Sequence, residues 1–352
     1  MNIEIVINRA GIYGGVKRLY AVAEYLREAG HNVVVNSEDR KKNTWFQHSI
    51  PENVEIKAQI RICAETCRKL LPDGINILYQ QAQFDAPEPD EKFDLVVTTT
   101  KYLSETLKNW SVVPDYVIPY GIDSTVFKPV EGYTSHENGH HRYVRLPRPR
   151  LPHPATFVNP ITNIESSTWP EPCYIAYMPR KNKEEMDIIK GLLRKCNGGF
   201  CGLNCRGHDG GSPFWKYPAE FTGIRLIEID NLSETQVVEA LQKADIFLAI
   251  SREEGFGLPP LEASLCGCLL IGYHGRGGKE WLTDKTCVLT KSPQEFPIRI
   301  EEAIRGQHED KRLALQQLIK EHLTVEKERM AWLDVINHAI KLYSRRFKSR
   351  DP

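Results

Sequence analysis

Residues 244–263 restrict the fold of this chain more than any other segment. Ile246–Ile250 is an unbroken apolar run, which is typical of a parallel strand buried on both faces. A loop with two glycines follows, and Pro259 and Pro260 then mark the first turn of a helix, where proline loses no hydrogen bond. A buried strand that passes through a short loop into a helix is the repeating unit of an α/β protein.

The N-terminal part shows the same alternation of elements. An apolar strand at Ile3–Ile7 precedes a turn with Gly14 and Gly15, and apolar residues at helical spacing then continue to Gly30. A second strand follows at Val33–Val35, which completes a βαβ unit. We therefore predict a doubly wound parallel sheet in this part of the chain. Further strands of this sheet are predicted at 75–79, 95–98 and 116–118.

The length of 352 residues favours two domains, at roughly 150 residues each. We predict a first lobe over residues 1–130, a second lobe over 173–324 and a C-terminal helix over 325–352. Between the lobes, residues 131–172 lack any hydrophobic period and contain seven prolines, so they are predicted to be a linker or an insertion. The second-lobe strands are predicted at 173–177, 224–229, 246–250 and 269–273. The apolar face of the last helix is predicted to consist of Leu333, Ile336, Ile340, Tyr343 and Phe347.

The composition excludes several classes of protein. Lysine and arginine total 46 and so do aspartate and glutamate, and a net charge of zero argues against a dedicated nucleic-acid binder. No apolar run reaches the length that spans a bilayer, and the N-terminus has no basic leader, so we expect neither a membrane span nor a signal peptide. Nine scattered cysteines favour reduced thiols and a cytoplasmic location.

The loop after Ile250 has the features of an anion site. It leads into a helix N-terminus, which presents backbone N–H groups and the positive end of the helix dipole. Glu254 precedes the two glycines of the loop, and Glu262 lies in the first turns of the helix. Two carboxylates on either side of an anion site suit a nucleotide sugar, which has a hexose at one end of its diphosphate and a ribose at the other.

The segment Glu254-Gly-Phe-Gly-Leu-Pro-Pro-Leu-Glu262 resembles the signature of family 4 retaining glycosyltransferases, which have the GT-B fold. Three further segments resemble family motifs in the same order: Gly14-Gly15, Ile118-Pro119-Tyr120-Gly121-Ile122-Asp123, and Gly277-Gly278-Lys279-Glu280. The resemblance implies two Rossmann-like lobes that face each other across a cleft. The acceptor would bind mainly to the first lobe and the donor to the second, and the last helix would pack back on the first lobe.

The resemblance also implies residue roles. Glu254 would bind hydroxyls of the donor sugar, Glu262 would bind the ribose, and the backbone of Phe256, Gly257 and Leu258 would contact the diphosphate. Arg180 and Lys181 resemble the family's cationic pair on the diphosphate, with Lys183 as an alternative second cation because the usual spacing is compressed here. Gly14 and Gly15 would allow the first lobe to approach the donor phosphates.

The implied reaction is front-face transfer with retention, in which the leaving phosphate takes the acceptor proton. Two cations on the diphosphate would supply the charge stabilisation that a metal supplies elsewhere. We find no Asp-x-Asp motif, so neither a metal nor another cofactor is expected. Many family members have a histidine near the reacting sugar, whereas this chain has Gln81 and Gln83 there. Either glutamine could donate a hydrogen bond, but neither could act as an acid or base.

Two clusters have alternative interpretations. The first cluster consists of Cys196, Cys201, Cys205 and His208. Its spacing matches no standard paired Cys-x2-Cys zinc knuckle, so we interpret the cysteines as free thiols, with a structural metal site as the alternative. The basic tail could be a solvated helix face or could contact an anionic membrane that carries a lipid-linked acceptor. The tail residues are Lys341, Arg345, Arg346, Lys348 and Arg350.

Three other functions stay open for the whole chain: a GT-B epimerase or phosphorylase, a non-catalytic nucleotide-sugar-binding module, and an NAD-dependent dehydrogenase. The dehydrogenase is disfavoured because no Gly-x-Gly-x-x-Gly is present, although Glu38 and Asp39 follow the second strand. The sequence identifies neither the nucleotide, nor the sugar, nor the acceptor, which could be a glycan, a lipid-linked molecule or a small molecule. It also leaves the oligomeric state open.

Overall fold

The computed structural model describes residues 1–9, 14–64, 70–82, 92–130, 157–158, 165–166, 173–197, 224–304 and 306–347. The first lobe contains β1 (Asn2–Ile7), α1 (Gly14–Glu28), β2 (Asn32–Ser37), β3 (Ile60–Ala64), β4 (Ile75–Gln80), β5 (Leu95–Thr98), α2 (Lys101–Asn109) and β6 (Tyr116–Val117). Its six strands are parallel and follow the order β2-β1-β3-β4-β5-β6.

After the short antiparallel pair β7 (Phe157–Val158) and β8 (Glu165–Ser166), a second parallel sheet has the order β10-β9-β11-β12-β13. Its strands are β9 (Cys173–Tyr177), β10 (Ile224–Glu228), β11 (Ile246–Ala249), β12 (Leu269–Gly272) and β13 (Val288–Leu289). The helices are α3 (Lys183–Asn197), α4 (Glu234–Lys243), α5 (Leu258–Leu265), α6 (Phe296–Ile304), α7 (Glu309–His322) and α8 (Val325–Phe347). Two α/β lobes with parallel sheets confirm the predicted fold class.

Burial explains why the apolar runs form strands. All six residues of β4 and all four residues of β11 and of β12 are buried, as expected for strands covered by helices on both faces. In each sheet the strand order reverses beside the strand that comes first in the chain. The reversal lies between β1 and β3 in the first lobe and between β9 and β11 in the second. Ligands bind to sheets of this type at such reversals, at the carboxyl ends of the strands.

The elements that the sequence prediction missed include β3, α2 and β13. Arg61 interrupts the apolar pattern of β3, but its guanidinium donates to the Glu4 carboxylate of β1 at 2.9 and 2.6 Å, so the charge is paired beside the sheet. Helix α2 is short and begins after Thr100, whose hydroxyl accepts a hydrogen bond from the Leu103 N–H at 3.1 Å. Strand β13 has only two residues, too few to show a period.

Helix α8 packs on the first lobe. The indole of Trp332 is fully buried against the ring of Tyr79 in β4, with centroids 4.7 Å apart. Where the chain enters α8, the Ile122 N–H donates to the Leu323 carbonyl at 2.8 Å, so the two connections between the lobes run side by side.

All five residues predicted for the apolar face of the last helix pack on the hydrophobic core. Of the five predicted residues, Ile336 is fully buried and the other four pack on the core while keeping some exposure. The buried stripe of α8 consists of Trp332, Val335, Ile336 and Ala339. Glu328 is buried one turn before it, because it accepts hydrogen bonds from the first lobe. A purely apolar pattern could not place that residue in the interface.

Candidate active site between the lobes

The loops that follow β9 and β11 meet at the reversal point of the second sheet. The first loop forms a short 3-10 helix at Pro179–Lys181, and the second leads into α5. The Lys181 ammonium lies 2.6 Å from the Glu254 carboxylate. The exposed fractions of these two side chains are 29% and 19%, so the pair remains open to a ligand. Two of the predicted site residues are therefore in direct contact.

Backbone hydrogen bonds fix the conformation of the Glu254 loop. The Glu254 N–H donates to the Gly275 carbonyl at 2.8 Å, and the Gly277 N–H donates to the Glu254 carbonyl at 3.0 Å. Gly257 has a φ of +90° and precedes α5, which begins at Leu258. A side chain at Gly257 would be strained in this left-handed conformation, and glycine leaves the N-terminus of α5 uncovered.

The first lobe lies directly against this loop. An ideal Cβ at Gly255 would come within 2.0 Å of the Gln81 carbonyl oxygen, and one at Gly14 within 3.0 Å of Leu258 Cδ1. The Gln81 side chain turns toward α1, where its amide donates to the Gly15 carbonyl at 3.1 Å. The predicted residues Gly14, Gly15 and Gln81 thus lie at the interface with the predicted donor loop. The close approach of the two lobes requires a glycine at position 255.

Two cavities occupy the space between the lobes. The larger, of about 560 Å³, is lined by Glu254, Phe256 and Gly257 from the second lobe and by Gly15 and Gln81 from the first. The smaller cavity of about 360 Å³ contains Glu262. Both cavities are lined by Gly14, Arg180, Lys181 and Leu258. An elongated ligand could therefore extend from Glu254 to Glu262 past the two cations.

Burial and nearby positive charges shift the pKa of the Glu262 carboxyl in opposite directions. The side chain is partly exposed to the smaller cavity but surrounded by protein, and this burial raises the pKa of its carboxyl. Lys17, Arg18, Lys181 and Arg180 lower that pKa through their positive charges, without offsetting the burial. Lys17, Arg180 and Lys181 line the smaller cavity together with Glu262, so positive groups lie where a diphosphate could bind.

Lys17 and Trp45 were not predicted as site residues. Lys17, in the first turn of α1, forms an ion pair with Glu234 of the second lobe and faces Glu262. The Trp45 indole N–H donates to the Leu232 carbonyl at 3.2 Å, also across the two lobes. A cation in the first turn of a helix opposes the helix dipole, and this anomaly could have identified Lys17 from the sequence. We find no comparable signal for Trp45.

Asn8 and Arg9 also line the larger cavity and were not predicted. They follow the carboxyl end of β1, next to the reversal point of the first sheet. That position alone could have marked them as candidates for a ligand contact.

The predicted cations differ in their placement. Arg180 and Lys181 both line the two cavities, whereas Lys183 is an exposed residue at the start of α3. Its charge acts on Glu228, at the end of edge strand β10. The compressed spacing therefore brings the adjacent pair, and not Lys183, to the cleft. The short 3-10 helix explains this, because it ends at Lys181 before α3 turns away.

Several predicted features lie outside the described residues: Gln83, Cys201, Cys205, His208, Lys348 and Arg350. Cys196 is in α3, but its side chain is not among those described. Within the described ranges, no group of three or more His, Cys, Asp or Glu residues could hold a metal ion.

Arg346 of the basic tail forms an ion pair with Asp94 of the first lobe at 2.6 Å. No helix in the described part of the chain is long and apolar enough to cross a membrane.

Comparisons with known proteins agree with this architecture. Residues 217–320 match the family described as Glycosyl transferases group 1. A search of curated proteins found no match.

Similar solved structures include sucrose-phosphate synthase from Thermosynechococcus elongatus, with a TM-score of 0.62, 12% identity and coverage of 97% of this chain and 99% of that one. A glycosyltransferase from Rickettsia africae ESF-5 has a TM-score of 0.61, 14% identity and coverage of 97% and 98%. Anabaena HepE in complex with UDP and glucose has a TM-score of 0.60, 12% identity and coverage of 96% and 100%. By its fold this chain has the GT-B architecture of two α/β lobes, and residues 217–320 of its second lobe are similar to the family Glycosyl transferases group 1.

Proposed function

We propose that this protein transfers a sugar from a nucleotide-diphosphate sugar to an acceptor, with retention of configuration and without a metal. The observation that carries the proposal is the Lys181–Glu254 ion pair at the reversal point of the second sheet, opposite Gly15 of the first lobe. It supplies a cation for the diphosphate and a carboxylate for the sugar hydroxyls at one place.

The two cavities suggest how the donor lies. If Glu262 binds the ribose, the nucleoside lies in the smaller cavity. If Glu254 binds the donor sugar, that sugar lies in the larger cavity. The diphosphate would then lie at the residues common to both cavities, which include Arg180 and Lys181. This order follows the chemical order of a nucleotide sugar.

The same residues support the bond-breaking step. As the bond between the anomeric carbon and the phosphate oxygen breaks, negative charge develops on the leaving diphosphate. Arg180, Lys181 and the uncovered N-terminus of α5 are placed to stabilise that charge. The acceptor oxygen forms its bond to the anomeric carbon on the face that the phosphate leaves, and its proton passes to a phosphate oxygen.

Gln81 suits this mechanism because an amide side chain neither takes nor gives a proton at neutral pH. It can hold a hydroxyl of the sugar by a hydrogen bond, and the proton transfer then falls to the leaving phosphate. The cations in the cleft carry out the charge neutralisation that a divalent metal performs in other transferases. The acceptor we propose is a glycan, a lipid-linked molecule or a small molecule.

The test uses the purified protein with UDP-, GDP- and ADP-sugars, each with and without EDTA. We expect the sugars of one nucleotide to raise the melting temperature of the protein. We also expect the sugar to be transferred to an acceptor at the same rate with and without EDTA. Glu262→Gln should lose the thermal shift, whereas Glu302→Gln on α6 should keep it. Absence of a shift with every donor would overturn the proposal. Donor conversion without acceptor would indicate an epimerase, and a requirement for phosphate would indicate a phosphorylase.

A further inference from the structure

The carboxylate of Glu185, in the first turn of α3, joins three loops of the second lobe. Asn182 donates to it at 2.8 Å from the loop after β9, and Arg252 donates two hydrogen bonds at 2.8 and 2.7 Å from the loop after β11. The hydroxyl of Tyr273, which follows β12, donates to the same carboxylate. Glu185 is 7% exposed, so this junction is buried although one of its members, Arg252, reaches solvent.

The loop after β9 carries Lys181 and the loop after β11 carries Glu254, and both residues lie close to this junction. Asn182 is adjacent to Lys181 in the chain, and Arg252 lies two residues before Glu254. A displacement of Asn182 would therefore move Lys181 relative to Glu254, whose backbone is also held by Gly275 and Gly277.

Other contacts also hold the second loop, and the side chain of Glu253 forms an ion pair with Arg276 at 2.8 Å. The backbone of Glu254 is bonded to the strand-like segment at Gly275, and the Phe256 carbonyl accepts a hydrogen bond from the Trp281 indole at 3.1 Å. The earlier part of the loop is held to Glu185 through Arg252, whose guanidinium also stacks on the Tyr273 ring at 4.2 Å.

The charge state of Glu185 is set by the same contacts. Burial alone would raise the pKa of this carboxyl, but the hydrogen bonds from Arg252, Tyr273 and Asn182 outweigh burial and lower the pKa below its usual value. Glu185 is therefore an anion at neutral pH, and its hydrogen bonds with Arg252 are charge-assisted and strong.

We infer that Glu185 is a positioning residue: through Asn182 and Arg252 it fixes the distance between Lys181 and Glu254 in the donor site. This inference rests on the proposed function. Glu185 does not line either cavity between the lobes, so it acts through its partners and not by contact with the substrate. Because the reacting groups must be aligned closely, a small shift of the ion pair lowers the rate of transfer.

The kinetic test compares Glu185→Gln and Glu185→Asp with the native protein and with the control Glu302→Gln. Glu302 is a suitable control, because it also accepts hydrogen bonds from an arginine, Arg299, and lies on α6, which lines neither cavity between the lobes. For Glu185→Gln we expect kcat to fall tenfold or more, approaching the hundredfold loss that a misplacement of about 1 Å can cause. Glu185→Asp should recover part of kcat, and Glu302→Gln should match the native protein.

A crystal structure of Glu185→Gln separates this inference from the proposed function. We expect the Lys181 Nζ–Glu254 Oε1 distance to lengthen from 2.6 Å while the rest of the second lobe is unchanged. Native kinetics, or an intact ion pair in a variant with reduced kcat, would overturn the inference. If the native protein neither binds nor converts any donor, the proposed function fails, and the measured distance still decides whether Glu185 positions the pair.

Discussion

The guanidinium of Arg18 in α1 binds the carboxylate of Glu328 in α8, and both side chains are buried. The Glu328 carboxylate also accepts hydrogen bonds from the Tyr25 hydroxyl at 3.2 Å and from the Gly121 N–H at 3.0 Å. One carboxylate thus connects the first helix, the connection between the lobes and the last helix. Because all its partners are buried, its removal would leave an uncompensated charge on Arg18.

We expect Glu328→Gln to lower the free energy of unfolding by about 3–5 kcal/mol, the usual cost of removing one partner of a buried ion pair. Urea denaturation at neutral pH measures this change. Glu326→Gln is the matched control, because Glu326 lies on the exposed face of the same helix and its substitution should change stability by no more than about 0.5 kcal/mol. Equal midpoints for the two variants would contradict this account of α8.

Gly255→Ala should obstruct the approach of the lobes. The added methyl group would overlap the Gln81 carbonyl oxygen, and a backbone atom cannot move aside as a flexible side chain can. We expect kcat for transfer to fall much more than donor affinity, because the donor contacts lie mainly on the second lobe. The control is Gly191→Ala in α3, where a Cβ meets no atom within 4 Å. Native kcat in Gly255→Ala would show that this close approach is not needed for turnover.

The arrangement of elements within each lobe could be predicted from the sequence, because it depends on local patterns. Apolar runs marked the strands, and proline and glycine marked the ends of α1 and the start of α5. Strand β3 could not be predicted because the partner of Arg61 is Glu4, which lies 57 residues away in the chain. A charge inside a strand appears unfavourable until its partner on the neighbouring strand is known.

The residues of the candidate site also fall into those that a local motif predicts and those that depend on distant contacts. Glu254 and Glu262 stood in one short motif, and the structure places both beside the cavities. Lys17 and Trp45 depend on how the lobes dock, and Glu185 depends on three loops that meet only in the folded sheet. No pattern within one segment encodes such contacts. The pairing of Lys181 with Glu254 was likewise not predicted, although each residue had been assigned to the site.

Lys17→Met should weaken donor binding without unfolding the protein. Lys17 opposes the dipole of α1 but gains an ion pair with Glu234, so the two contributions largely offset each other. We expect the free energy of unfolding to change by less than about 1 kcal/mol, whereas the donor KM should rise because a cation beside Glu262 is lost. Donor titration and urea denaturation measure the two effects. Lys108→Met, at the end of α2, is the control, and an unchanged KM in Lys17→Met would exclude Lys17 from the donor site.

In the protein without bound donor, Glu262 should lower the stability of the fold at neutral pH. Because burial raises the pKa of Glu262, the folded state binds its proton more tightly than the unfolded state does. The contribution of this group to stability is therefore fully present below the unfolded pKa of about 4.3 and is lost as pH rises through the higher folded pKa.

Glu262→Gln removes this titrating group, so the variant should be more stable than the native protein at pH 7 and should bind the donor less tightly. The difference in unfolding free energy between the two proteins should shrink as the pH falls toward 4.5, because the unfolded state then also retains more of the Glu262 proton. Urea denaturation across pH 4.5–8 measures the stability of both proteins, and calorimetric titration with the donor measures affinity. A variant that is less stable than the native protein at pH 7 would show that the surrounding cations, and not burial, dominate at this carboxylate.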